Sequence, residues 1–336
     1  MYFAALFHPF FLTIALCDLS TFNERYLPGH VLVTIFNKDW LGCLQACNNE
    51  PRCISYNYFK ENKTCEINSN GVKDQCESKG TVCSRGWIFH QIRPTPGPKP
   101  ELGDDASNPA ESCKEIFSTR RNVSSGTYYI KVTNYSTIPV YCRMEKTVEC
   151  GEGGWTLAMK IDGHKTTFRY DSSLWKTTDS YNENQGKDLT KSETKLDVFN
   201  SITLTEGFCV GMQVNGDTKW LKLNSQGVTP TSVFLESRLS PVSIGPSKWK
   251  SLLTGSYLQG TKKGYNVHSG CRNGPRARIG IVSEQTDCNQ TVVSRIGFGT
   301  GGDAGGMDTN NSCGNEAVDA HGKGTSIKAF CYIFIK

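Results

Sequence analysis

The 336-residue sequence has no run of five or more Lys or Arg, and 37 basic against 32 acidic residues leave a net charge of only +5. Proteins that neutralise a phosphate backbone cluster their basic residues, so no nucleic-acid partner is expected. Long acidic runs are missing as well; Asp104-Asp105 is the longest, which argues against direct nucleation of mineral. Catalytic signatures are scarce. None of the six histidines (His8, His30, His90, His164, His268, His321) falls in an H-E-x-x-H zinc motif, and no G-x-S-x-G elbow occurs. A Ser-His-Asp set can assemble from distant residues, but nothing in the sequence points to one, and the expectation is a protein that is not an enzyme. Beyond residue 17 no segment approaches the roughly 20 apolar residues that cross a bilayer as a helix, so the mature chain is expected to have no membrane span. Helical periodicity is sparse throughout.

What is present points to the secretory route. Residues 1–17, MYFAALFHPFFLTIALC, are apolar and free of Lys and Arg. They read as a signal peptide with a cleavage site at Ala15-Leu16-Cys17; the alternative, a membrane anchor, is disfavoured by its length and by His8-Pro9. Fifteen cysteines become fourteen once Cys17 is removed, an even number that suits disulfides in an oxidising compartment. Five N-x-S/T acceptors, at Asn62, Asn122, Asn134, Asn289 and Asn310, are candidate glycosylation sites of a secreted glycoprotein. Hydrophobic residues at 37 % and aromatics at 10 % support a packed core, and the length suits about two domains.

Residues 18–93 form the first expected unit. Cys43 and Cys47 are four apart and share one face of a helix that Asp39 is placed to cap. Ile54, Tyr56 and Tyr58 alternate as a strand does. Zinc is not expected, since C-x3-C-x5-C lacks paired C-x2-C spacing and secreted thiols oxidise. The wording CLQAC, PRCISYNY and CEIN resembles the PAN/apple module. That resemblance implies the pairs Cys43–Cys65 and Cys47–Cys53 and contacts with proteins or carbohydrates; Cys76 and Cys83 are left over and are taken to close a small loop of their own.

Residues 94–110, PTPGPKPELGDDASNPA, read as a proline-rich linker, because closely spaced prolines favour an extended polyproline II spacer. Residues 111–336 form the larger expected unit. Strand-like runs recur at Thr127–Val132, Pro139–Tyr141, Trp155–Ile161, Gly207–Val214, Lys219–Leu223, Ile279–Val282, Val292–Phe298 and Ile327–Ile335, with a short helix over Thr194–Ser201. Gly153-Gly154 should make a tight turn into the strand that starts at Trp155. Trp155, Trp220 and Trp249 could stack on sugars but are expected in the core. The whole chain reads as α+β, a small disulfide-rich module followed by a loop-rich domain.

SCKEI, SGTYYI, VYCRME and GGWTL in succession resemble the opening of fibrinogen-related domains, including the intelectin lectins. The resemblance implies the pair Cys113–Cys142. Cys150, Cys209, Cys271, Cys288, Cys313 and Cys331 remain open, with fifteen connectivities among them. Gly297-x-Gly299-x-x-Gly302 matches a dinucleotide fingerprint formally, but DAGGMDTNNSCGN follows it in place of a helix, and no phosphate cradle is expected. The same loop gathers Asp303, Asp308, Asn310, Asn311, Asn315, Glu316 and Asp319, with His321 beyond. Calcium takes six to eight oxygens, so Asp303, Asp308, Asn315, Glu316 and Asp319 are candidate calcium ligands. The fibrinogen-related resemblance implies calcium in this region and, for intelectins, sugar binding beside it. The layout and the tail SRIGFGTGGD…SCGNEA…SIKAFCYI are also similar to secreted proteins of coral skeletal organic matrix. The functional expectation is a secreted recognition or adhesion protein that binds glycans or matrix proteins through a calcium-prone loop. The alternative is a structural component of an extracellular, skeletal organic matrix, tied to biomineralization but without a small ligand.

Overall fold

The computed structural model describes residues 21–73, 79–95, 100–133, 136–235, 239–258, 262–283, 293–303, 310–318 and 321–336. The expected signal segment lies outside these residues. The chain divides into two compact units, Met1–Lys99 and Pro100–Lys336.

The first unit holds β1 (Thr21–Tyr26), β2 (Val31–Ile35), α1 (Trp40–Asn49), β3 (Ser55–Phe59), β4 (Thr64–Asn68) and β5 (Val82–Gln91), in one antiparallel sheet of order β1-β5-β3-β4-β2. Helix α1 starts where expected. Asp39 accepts from the Gly42 N–H at 2.7 Å, satisfying one of the unpaired donors of the first turn. It stops at Glu50, because Pro51 has no N–H to continue the ladder. The Arg93 guanidinium closes its far end, donating to the carbonyls of Cys47, Asn48, Glu50 and Cys53, a cation at the negative pole of the helix. The inner face of α1 presents Cys43 and Cys47, which are bonded to Cys65 on β4 and to Cys53 ahead of β3.

The second unit begins earlier than the proline pattern suggests. Residues 100–110 pack into it and are not a free linker. Ala110 bridges to Ile130 in parallel, Tyr129 N–H donates to the Gly103 carbonyl, and Arg120 pairs with Glu101 and Asp104. Only the prolines at 94–100 carry the linker composition; the polar residues after them fold onto the domain.

Its elements are α2 (Cys113–Thr119), β6 (Gly126–Thr133), β7 (Ser136–Arg143), β8 (Trp155–Asp162), β9 (Thr194–Lys195), α3 (Val198–Ser201), β10 (Gly207–Val214), β11 (Asp217–Asn224), α4 (Pro230–Leu235), α5 (Pro246–Lys250), β12 (Lys262–His268), β13 (Arg276–Val282), β14 (Val293–Gly301), β15 (Cys313–Val318), β16 (Gly324–Lys328) and β17 (Phe330–Ile335). One sheet runs β11-β10-β17-β8-β7-β6 with β9 beside β8, and a second runs β12-β13-β14-β15-β16. Strands dominate and the helices are short, so the chain is sheet-rich, and α+β describes it only loosely. A single core passes through both sheets of this unit, with Trp155, Trp175 and Trp249 among its largest buried side chains.

Two local features position the rest. The Gly153-Gly154 turn forms, for two different reasons. Gly154 has φ +87°, whereas a Cβ on Gly153 would lie 1.9 Å from the Met144 carbonyl oxygen. The tail expected as one strand is two. Ala329 breaks it, with its N–H donating to the Cys313 carbonyl and its carbonyl accepting from Gly163, so β16 pairs in one sheet and β17 in the other. Every residue of β17 is buried, as suits a strand flanked by β10 and β8.

Candidate functional site

The oxygen-rich C-terminal segment separates into an exposed part and a buried part. Asp303 is exposed just past β14, its N–H donating to the Asn273 carbonyl at 2.6 Å. Asn315 and Glu316 sit on β15 with no exposed surface. The Asn315 amide is fully engaged: Oδ1 accepts from Tyr257 N–H at 2.9 Å, and Nδ2 donates to the carbonyls of Tyr257 at 3.0 Å and Arg295 at 2.8 Å. Glu316 accepts from Arg295, its direct partner across the β14–β15 ladder. Arg295 also donates to the carbonyls of Gly301 at 2.5 Å and Gly302 at 2.6 Å. Burial pushes the Arg295 guanidinium down from its ordinary range, and the adjacent Glu316 carboxylate opposes that shift.

Calcium needs oxygens that are not already spent. The Glu316 carboxylate has a guanidinium as its countercharge, and the Asn315 oxygen has a backbone donor. Asn315 and Glu316, expected as calcium ligands, lie in a buried network held by Tyr257 and Arg295. Asp308 and Asp319 lie outside the described residues. Among the described residues no group of three or more His, Cys, Asp or Glu is placed to hold a metal.

The formal dinucleotide fingerprint lies mostly within β14. Its central glycine answers to packing: Gly299 has φ +60°, and a Cβ there would lie 2.5 Å from the buried ring of Trp175. Trp155 and Trp249 are core residues, as expected. Trp220 is half-buried, with the Arg143 guanidinium 4.0 Å from its ring centroid, so a cation already stacks on it.

The implied pairs Cys43–Cys65, Cys47–Cys53 and Cys113–Cys142 are bonded. The structure adds Cys150–Cys209 and Cys313–Cys331, two pairs that sequence left open, and Cys271 is also disulfide-bonded. Cys83 carries a free, exposed thiol, so the loop expected between Cys76 and Cys83 is not closed; Cys76 lies outside the described residues. Of the acceptor asparagines, Asn62, Asn122 and Asn310 are exposed, and Asn62 Oδ1 accepts from the Thr64 N–H at 3.2 Å and hydroxyl at 2.5 Å. Asn134 and Asn289 lie outside the described residues.

The first unit offers a different kind of surface. Val31, Val33, Phe36 and Leu41 fall within eleven residues and are 38 %, 48 %, 67 % and 68 % exposed. They line the edge strand β2 and the turn into α1. Behind them Trp40 meets Tyr56, Tyr58 and His90 edge-on at 5.0, 5.7 and 5.3 Å. Alternation did not mark this patch in the sequence, because a short edge strand with both faces partly open has no clean period.

No described helix is long and apolar enough to cross a membrane. No curated protein matches the chain. Residues 17–91 match the PAN domain family, from one residue before the expected start of the first unit to the last residue of β5. PAN domains mediate protein–protein or protein–carbohydrate contacts in extracellular proteins, and the disulfides agree with that setting. The chain thus carries a disulfide-held PAN module, followed by a sheet-rich domain.

Proposed function

We propose that this protein is secreted and acts in recognition or adhesion outside the cell, holding glycans or matrix proteins and catalysing no reaction. The PAN module carries the reading, because such modules serve as contact surfaces. The sheet-rich unit is a fibrinogen-related domain in this proposal, on the strength of SCKEI, SGTYYI, VYCRME and GGWTL, and adds a second contact surface. Calcium enters only through the loop of Asp303, Asp308 and Asp319. Its role in this proposal is to order that loop.

The test is surface binding of the purified full chain to a panel of matrix proteins and of neutral and acidic oligosaccharides, with calcium and with chelator. Saturable binding to at least one member is expected. Binding that resists chelation removes calcium from the reading. No saturable binding at all overturns the reading and leaves the alternative, a structural component of an extracellular matrix.

A further inference from the structure

The hairpin between β12 and β13 forms one wall of a cavity of about 410 Å³ lined by Tyr170, His268, Ser269, Cys271, Arg272 and Arg276. Its construction is rigid. His268 and Arg276 face each other as ladder partners, Ser269 N–H donates to the Pro275 carbonyl at 3.0 Å, and Gly274 N–H to the Cys271 carbonyl at 3.0 Å. Cys271 is disulfide-bonded, and Asn273 is held from the β14 side by the Asp303 N–H. Tyr170 is fixed by its N–H, which donates to the Thr300 carbonyl at 3.0 Å.

The charge at this cavity is mostly of one sign. Arg278, buried, lies 4.2 Å from the Tyr170 ring centroid and is locked by Tyr170 O at 2.7 Å and Asn266 Oδ1 at 2.8 Å. Arg276 lies 5.7 Å from the same centroid and donates to the Arg272 carbonyl at 2.8 Å. Arg272 and His268 are exposed. The carboxylates nearby are Asp171, which meets Arg276 at 3.3 Å and is itself 69 % exposed, and Asp303 beyond Asn273. Two guanidiniums, those of Arg272 and Arg276, thus line the cavity, with buried Arg278 stacked on Tyr170, against one partly solvated carboxylate in direct contact. A pre-positioned arginine fork suits a planar or tetrahedral oxyanion better than a mobile ammonium does. The volume is at the small end of ligand pockets, room for one or two sugar rings, and the lining mixes apolar surface, the Tyr170 ring included, with the polar groups of His268, Ser269, Arg272 and Arg276.

We infer that this cavity binds an anionic sugar, a sulfated or uronate residue of an extracellular acidic polysaccharide, with Arg272 and Arg276 on the oxyanion and Tyr170 beside the ring. The inference rests on the recognition reading for its occupant and gives it a substrate class. No carboxylate of the calcium-prone set is needed. Arg272 is exposed and turns toward the ligand, whereas Arg276 is fixed before it arrives.

The experiment is calorimetric titration of the full chain with a sulfated hexasaccharide and with an oligogalacturonate, each beside inorganic sulfate, a neutral oligosaccharide and an oligoglutamate peptide. One or both acidic sugars should bind more tightly than all three controls. Arg272→Gln should weaken binding about tenfold or more, as expected for loss of a charge-assisted hydrogen bond. Arg276→Lys, which keeps the charge and removes the fork, should weaken it as well. Lys248→Gln/Lys250→Gln, a double loss of exposed charge on α5, should leave it unchanged. Acidic-sugar binding unaffected by Arg272→Gln and Arg276→Lys overturns the site while leaving the recognition reading intact. Equal affinity for oligoglutamate, or sulfate binding alone, overturns the sugar assignment. A neutral sugar as the preferred ligand overturns the anionic class and upholds recognition.

Discussion

In the PAN unit the main core cluster has eight buried residues, and four of them are the bonded cysteines Cys43, Cys47, Cys53 and Cys65. In the sheet-rich unit one core gathers 45 buried residues, of which six are cysteines. A small unit buries too little apolar surface to offset the entropy of ordering its chain, so cross-links carry a larger share of its stability. The larger unit uses its disulfides differently. Cys313–Cys331 ties the strand β15 of one sheet to β17 of the other, joining layers that are already packed. Similar bonds should therefore have unequal consequences in the two units.

The largest expected effect lies in the buried polar network. Glu316→Gln leaves the Arg295 charge buried without its countercharge and should cost the sheet-rich unit about 3–5 kcal/mol, read by denaturant unfolding. Restored stability in Glu316→Gln/Arg295→Met would show that the penalty is the orphaned charge. Next come the cross-links. By loop length, removing Cys150–Cys209, 59 residues apart, costs about 4 kcal/mol, and removing Cys43–Cys65, 22 apart, costs about 3 kcal/mol. The smaller number should do more damage. Cys43→Ser/Cys65→Ser should abolish the PAN unit's fold, while Cys150→Ser/Cys209→Ser leaves the sheet-rich unit folded with a lowered midpoint. Tryptophan and tyrosine near-UV dichroism separates the two outcomes, and equal loss in both units would break the comparison.

A smaller effect is expected at the helix cap. Asp39→Ala should cost about 1 kcal/mol by removing the acceptor for Gly42 N–H. Effects of pH fall at opposite ends of the scale in the two units. Burial lowers the His90 pKa, so below about 6.5 the unfolded chain takes up a proton before the folded one does. The PAN unit should lose stability as pH falls through that window. Lys195 is buried on β9 beside the Phe199 ring, and burial lowers its pKa to about 8. Between about 8 and the unfolded value of about 10.4 only the unfolded state holds that proton, so this group's contribution to stability rises with pH across the interval. Melting temperature against pH checks both, and His90→Gln and Lys195→Met should each flatten one limb.

The legible parts of the sequence were those with local causes. Asp39 and the Cys43/Cys47 spacing gave α1, and the apolar run after Ala329 gave β17. Strand β12, Lys-Lys-Gly-Tyr-Asn-Val-His, has no clean alternation, and its place in the sheet depends on β13. The same holds for β15. Cys-Gly-Asn-Glu-Ala-Val reads as a polar loop until the β14 register puts Arg295 opposite Glu316. That pairing moved two expected metal ligands into the core, because the partner that neutralises Glu316 is 21 residues away in sequence. Residues 100–110 looked like spacer since their composition is polar, yet Gly103, Ala110 and Arg120 tie them to the domain through backbone and ion-pair contacts. The arginine cavity was invisible for the same reason, since Tyr170 and Arg278 are 108 residues apart.

The most direct measurement is adhesion of beads carrying the full chain to surfaces coated with purified matrix proteins or acidic polysaccharide, with Cys43→Ser/Cys65→Ser beads alongside. The account predicts that wild-type beads hold to at least one coat, and that the variant loses matrix-protein adhesion but keeps adhesion to the polysaccharide. Wild-type beads that hold to no coat, or variant beads that hold to matrix protein as well as wild type does, would contradict it.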